Sequence, residues 1–182
     1  DLIVRDALIF DGTGAPRRTG DVGVSGDRII AVGDLGATSA DVEIDAAGRA
    51  IAPGFIDAHT HDDRALLCGP DCLHCKLSQG VTTVVAGNCG VSLSRLTRDR
   101  RPPAPLDLLG DETWWRYDSF ADYAEDVARQ GTPVNAIAFV GHTTLRTREM
   151  GDGELGRAAT DAEAARMKER LKEALAQGAW GL

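Results

Sequence analysis

An α/β fold is predicted by three features of this 182-residue sequence. Near Ile51 its texture changes from short strands and turns to alternating strands and helices. The later β-branched runs are spaced by helical patterns, as in a parallel sheet with right-handed crossovers. The predicted strand ends carry His59 and His61, then Cys89, then His142. Functional residues of parallel α/β barrels sit at that end of their strands.

Residues 1 to about 52 form the first predicted region. Leu2-Ile3-Val4 and Ala7-Leu8-Ile9-Phe10 read as strands before the turn cluster Asp11-Gly12-Thr13-Gly14. Val22-Gly23-Val24 and Arg28-Ile29-Ile30-Ala31-Val32 flank Ser25-Gly26-Asp27 as a hairpin. Val42-Glu43-Ile44-Asp45 alternates with period two and ends at Ala46-Ala47-Gly48. Together these predict a small antiparallel β module.

The second region covers residues 53–182. A strand over about 51–58 leads to a helix within 64–79, then a strand at 81–87. A proline-containing insertion follows at about 90–117. Asp118 or Ser119 caps a helix whose apolar positions are Phe120, Tyr123, Ala124, Val127 and Ala128. It stops at Gly131-Thr132-Pro133, and Val134 to Val140 reads as a third buried strand. Thr160 and Glu163 make a capping-box pattern opening a helix to about Gln177, with Met167, Leu171 and Leu175 on one face. Ala179-Trp180-Gly181-Leu182 reads as the start of a fourth strand.

Composition narrows the function. With 43% hydrophobic and 26% charged residues, the chain is globular rather than disordered. A net charge of −8 argues against nucleic-acid and anionic-membrane partners, which demand basic patches. No apolar run approaches a membrane span, and Asp-Leu-Ile-Val-Arg at the start is not a secretory signal. The four unevenly clustered cysteines do not suggest a disulfide framework, so a cytoplasmic location is expected.

The densest chemistry lies in Pro53-Gly54-Phe55-Ile56-Asp57-Ala58-His59-Thr60-His61, followed by Asp62 and Asp63. In an extended strand His59 and His61 project to one face and Thr60 to the other, so the imidazoles can share one metal ion. Asp62 and Asp63 are candidate outer carboxylates that orient such imidazoles. Downstream, the β-branched run at 81–87 meets Asn88-Cys89-Gly90. Cys89 reads either as a thiolate ligand or as a small buried hydrophobe. It gains weight as a ligand if it shares a strand end with the histidines.

PGFIDAHTHDD, SQGVTTVVAGNCGVS, PPAPLDLL and NAIAFVGHTTLR together resemble the N-acyl-D-amino-acid deacylases of the amidohydrolase superfamily. The first element marks the superfamily; GNCG and GHTTLR narrow it to this group. The resemblance spans nearly the whole chain. It implies the N-terminal portion of a metal-dependent (β/α)8 barrel, about three to four of its units, preceded by strands of a small β-sandwich. It implies Zn2+ held by His59, His61 and Cys89, and hydrolysis of a small-molecule N-acyl-D-amino acid to a carboxylate and a D-amino acid. The general base is expected beyond Leu182, so activity of this stretch alone is doubtful. His142 is read as lining the substrate site or as a structural support of its strand end. Cyclic-amide hydrolysis on the same scaffold, or a non-catalytic metal-binding piece, are the alternatives.

Cys68, Cys72 and Cys75, with His74 among them, have the spacing of an iron–sulfur loop, but spacing alone is a weak signal. Trp114-Trp115 reads as packing of the insertion, and Arg98, Arg100 and Arg101 as a solvated loop.

Overall fold

A computed structural model describes residues 1–182, which divide into two compact units, Asp1–Pro53 and Gly54–Leu182. No helix is long and apolar enough to cross a membrane.

The first unit is one sheet built from β1 (Leu2–Ile9), β2 (Arg18–Ser25), β3 (Arg28–Gly33), β4 (Val42–Asp45) and β5 (Ala50–Ile51). The order is β3-β2-β1-β4, with β5 also on β1. The hairpin about Gly26 forms as its turn residues require. The module is not purely antiparallel, however: β4 and β5 both run parallel to β1. Pairing direction depends on how distant segments return, which local alternation does not encode. The two short strands expected near the start are one strand, broken in register between Val4 and Ala7. Asp6 lies there at φ 47°, and its N–H donates to Asp21 Oδ1 at 3.1 Å. Ala7, Ile9, Val22 and Ala46 form the buried cluster.

In the second unit β6 is Phe55–Thr60. The strand expected over 51–58 is thus two, because Ile51 belongs to β5 and Pro53-Gly54 separates them. A Cβ at Gly54 would fall 2.1 Å from Thr82 Oγ1, so only glycine fits that approach. The helix expected within 64–79 is also broken. Two 3-10 turns, Ala65–Leu67 and Pro70–Leu73, precede a four-residue helix α1 (His74–Leu77). Gly69 at φ 89° and Pro70, which lacks an N–H, interrupt the helical ladder.

Strand β7 is Val81–Ala86. The insertion contains the antiparallel pair β8 (Leu96–Thr97) and β9 (Arg116–Tyr117). Helix α2 (Phe120–Gln130) is capped by Ser119, whose side chain accepts from Asp122 N, and ends at Gly131. Strand β10 (Asn135–Ala138) is shorter and less buried than the expected 134–140 run. Then comes a helix that the sequence pattern did not reveal, α3 (His142–Met150). Helix α4 (Asp161–Ala176) carries the full Thr160/Glu163 capping box, a motif worth about 1 kcal/mol. Its inward positions are Met167, Leu171 and Ala174, whereas Leu175 is 44% exposed.

Strands β6, β7 and β10 form a parallel sheet in that order. Ala179–Leu182 is not a regular strand but runs beside β10. Trp180 N donates to Ala138 O at 3.0 Å, and Gly181 O accepts from Val140 N at 2.9 Å.

Three apolar clusters hold this unit. Leu66, Leu73, Val84, Ala86 and Val134 pack on the sheet. Phe120, Val140, Leu145, Met150, Met167 and Ala174 join the helices. Val91, Leu93, Leu106, Leu109, Trp115 and Tyr117 pack the insertion onto Leu67 and onto Tyr123 of α2. Arg98 is not part of a solvated loop: its guanidinium forms two 2.7 Å bonds to Asp152 and is 6% exposed. That pair also holds the Asp152 carboxyl below the usual carboxylate range.

Candidate metal centre

The end of β6 sets the first two side chains. Thr60 is buried and its Oγ1 donates to Val85 O at 3.2 Å, which fixes the pleat. His59 and His61 consequently stand on the other side, both exposed, with ring centroids 6.2 Å apart.

Cys89 follows β7 in a tight turn in which Gly90 N donates to Gly87 O at 3.0 Å. Gly87 has φ 85°, and a Cβ there would lie 2.4 Å from Phe139 O, so the turn requires glycine. Asn88 Nδ2 donates to Ala58 O at 2.8 Å, tying the turn to the residue before His59. The result is a group in which one ligand atom each from His59, His61 and Cys89 lie within 4.8 Å of one another. Tetrahedral zinc with nitrogen and sulfur ligands has ligand–ligand edges of about 3.4–3.6 Å. Two imidazoles and a thiol within 4.8 Å are the donor types such an ion takes, about an ångström wider than its ligand edges. Cys89 is exposed, which removes its reading as a small buried hydrophobe.

His142 lies outside that group. It is the exposed first residue of α3, not the end of a strand. Its neighbours serve the turn directly. Thr143 N donates to Gly90 O at 2.8 Å, Gly141 N to Ser92 Oγ at 2.8 Å, and Ser92 N to Thr144 Oγ1 at 2.9 Å. A Cβ at Gly141 would lie 2.5 Å from Gly90 O, so these backbones touch. The sequence reading missed Asn88, Ser92 and Thr144 in this role. Their only local signal was small polar residues beside glycines.

Asp62 and Asp63 do not take the expected position against the imidazoles. Asp62 lies 3.1 Å from Lys76 Nζ, which also pairs with Asp57 at 2.6 Å. The Lys76 ammonium holds the Asp57 carboxyl below its usual range. Asp63 points inward, is 2% exposed, and accepts the N–H of Leu93 at 3.0 Å. Burial pushes its carboxyl up to about 7, against the opposing pull of that N–H. The Cys68, Cys72 and Cys75 group does not converge either. Cys68 Sγ donates to Arg64 O at 3.2 Å and Cys72 Sγ lies 3.8 Å from Cys68 O, each thiol serving its own turn.

Several known proteins share the sequence and fold of this chain. A sequence model described as the amidohydrolase family matches residues 42–182. N-acyl-D-aspartate deacylase of Alcaligenes xylosoxydans xylosoxydans is 52% identical over 182 residues, covering 100% of this chain and 36% of that protein. A crystal structure of D-aminoacylase superposes with a TM-score of 0.90 at 51% identity, over 98% of this chain and 37% of that one. The N-acyl-D-glutamate deacylase of Bordetella bronchiseptica, solved with zinc and a phosphonate inhibitor, gives 0.87 at 43%, over 100% and 37%. The chain thus spans about a third of the length of the curated relatives it matches, 36% and 37% of the first two.

Proposed function

The chain belongs to the amidohydrolase family, and from that premise we propose that its protein is a zinc-dependent hydrolase of N-acyl-D-amino acids. In this reading β6, β7 and β10 are the opening arc of a (β/α)8 barrel, with residues 90–117 as an insertion. Residues 1–52 contribute strands to a small β-sandwich. The observation that carries the proposal is the convergence of His59, His61 and Cys89 within 4.8 Å at adjacent parallel strand ends.

Neutral His59 and His61 and the Cys89 thiolate would hold the ion. When bound, zinc acidifies a water towards a pKa of about 7 and polarises the scissile carbonyl. The protein's own contribution is placement. Thr60 and Asn88 hold the two ligand-bearing segments against each other, so little order must be acquired on binding. Lys76 neutralises Asp57 and Asp62, keeping their charge from drawing the ion off the imidazoles. His142 is assigned to the substrate side, since Thr143 anchors its helix to Gly90, next to Cys89.

Zinc content and release of free D-amino acid from N-acetyl-D-aspartate, N-acetyl-D-glutamate and N-acetyl-D-methionine, measured on the whole protein that contains this stretch, test this. Zinc uptake with turnover supports it. Zinc uptake without turnover points to a non-catalytic metal-binding piece, and turnover of hydantoins alone to a cyclic-amide hydrolase.

A further inference from the structure

We infer that Asp63 is a positioning residue for the proposed metal centre, locking the loop after Cys89 onto the segment that carries His59 and His61. The inference rests on the metal-binding reading above and concerns what holds that site together.

Asp63 sits two residues beyond His61, and its Oδ1 accepts the Leu93 N–H at 3.0 Å. Leu93 is itself 0% exposed, on the far side of Gly90-Val91-Ser92 from Cys89. The Asp63 carbonyl accepts the Tyr123 hydroxyl at 3.1 Å, so α2 holds the same residue from a third direction. The other carboxyl oxygen, Oδ2, is buried with no hydrogen-bond partner.

A carboxyl group is an unfavourable occupant of such a place. Burial disfavours its charged form, and one oxygen goes unpaired. An apolar side chain of similar volume would pack there without that penalty. What it could not do is bridge two backbones. Two side-chain hydrogen bonds tie the Cys89 loop to the histidine segment, and they flank the cysteine. Asn88 reaches Ala58 on one side, and Asp63 takes Leu93 on the other. The remaining fastenings, through Gly90, Ser92 and Thr144, run to α3 and do not constrain the sulfur relative to the imidazoles. Without Asp63, the loop is tied to β6 at one end only.

Cobalt(II) titration of the full 182-residue chain tests this, because a cobalt–thiolate bond gives its own near-ultraviolet charge-transfer band. Wild type should develop the band. Asp63→Ala should keep its circular dichroism yet bind cobalt about 10- to 100-fold more weakly, with a diminished thiolate band. Asp63→Asn retains an oxygen acceptor for the Leu93 N–H and should recover most of the affinity and the band. An alanine variant with wild-type band and affinity overturns the inference, as does an asparagine variant as weak as the alanine one. An alanine variant that does not fold also overturns it, by assigning Asp63 to the core. No thiolate band in wild type is a different failure, that of the metal-binding reading itself.

Discussion

Cys89 and the trio Cys68, Cys72 and Cys75 share a residue type, solvent exposure and a compact unit, yet only Cys89 joins a group of three converging ligand atoms. The trio has the more suggestive spacing along the chain. In three dimensions its members lie on short helical turns, and the Cys68 and Cys72 thiols point back to backbone carbonyls four residues earlier. Cys89 has no cysteine near it in sequence. It gains its partners because parallel strands end together, which brings residue 89 to residues 59 and 61. Spacing proposes a site, and the register of neighbouring strands makes one.

The sharpest way to break this comparison is to remove each set. Cys89→Ala should weaken zinc binding by more than about 100-fold, beyond the loss of an outer hydrogen-bond partner. Replacing Cys68, Cys72 and Cys75 together with serine should leave zinc stoichiometry unchanged. Elemental analysis after dialysis reads both, and a reversed result would hand the site to the trio. Next in size is Gly87→Ala, which forces a side chain into φ 85° against Phe139 O. It should cost about 3 kcal/mol in urea unfolding, with metal affinity falling as the Cys89 turn shifts.

Asn88→Ala deletes one hydrogen bond and should cost about 1 kcal/mol, with a smaller loss of zinc affinity than Cys89→Ala. The smallest effect concerns reactivity. Partial burial of the sulfur, and then the adjacent Cys72 thiol, raise the Cys68 pKa. Its thiolate therefore forms at higher pH than an ordinary thiol's, and iodoacetamide should modify it correspondingly later as pH rises. Cys72→Ala should move that profile part of the way back, as followed by peptide mass spectrometry.

Elements whose residues carry their own stop and start signals were legible. The hairpin at Gly26, strand β7, the Ser119-capped α2 and the capping box of α4 follow from local chemistry. Helix α3 was not legible, since His142-Thr143-Thr144-Leu145 shows no apolar stripe and follows a glycine. On α4 the pattern placed Leu175 inward, but the close packing about Val140 and Met150 admits Ala174 instead. Arg98 looked like one of several loop arginines until the fold brought Asp152 to it from 54 residues away.

By itself the sequence determined that His59 and His61 share a face, because strand geometry alternates side chains whatever surrounds them. It also determined that Cys89 lies just past a strand, because β-branched residues bounded by glycines leave few other options. Only the tertiary structure decided that these three meet, that His142 opens a helix, and that Asp63 turns inward to Leu93. The reason is physical. Alternation and capping act over a few residues, whereas convergence depends on strand order and on hydrogen bonds between segments some thirty residues apart, such as Asp63 to Leu93.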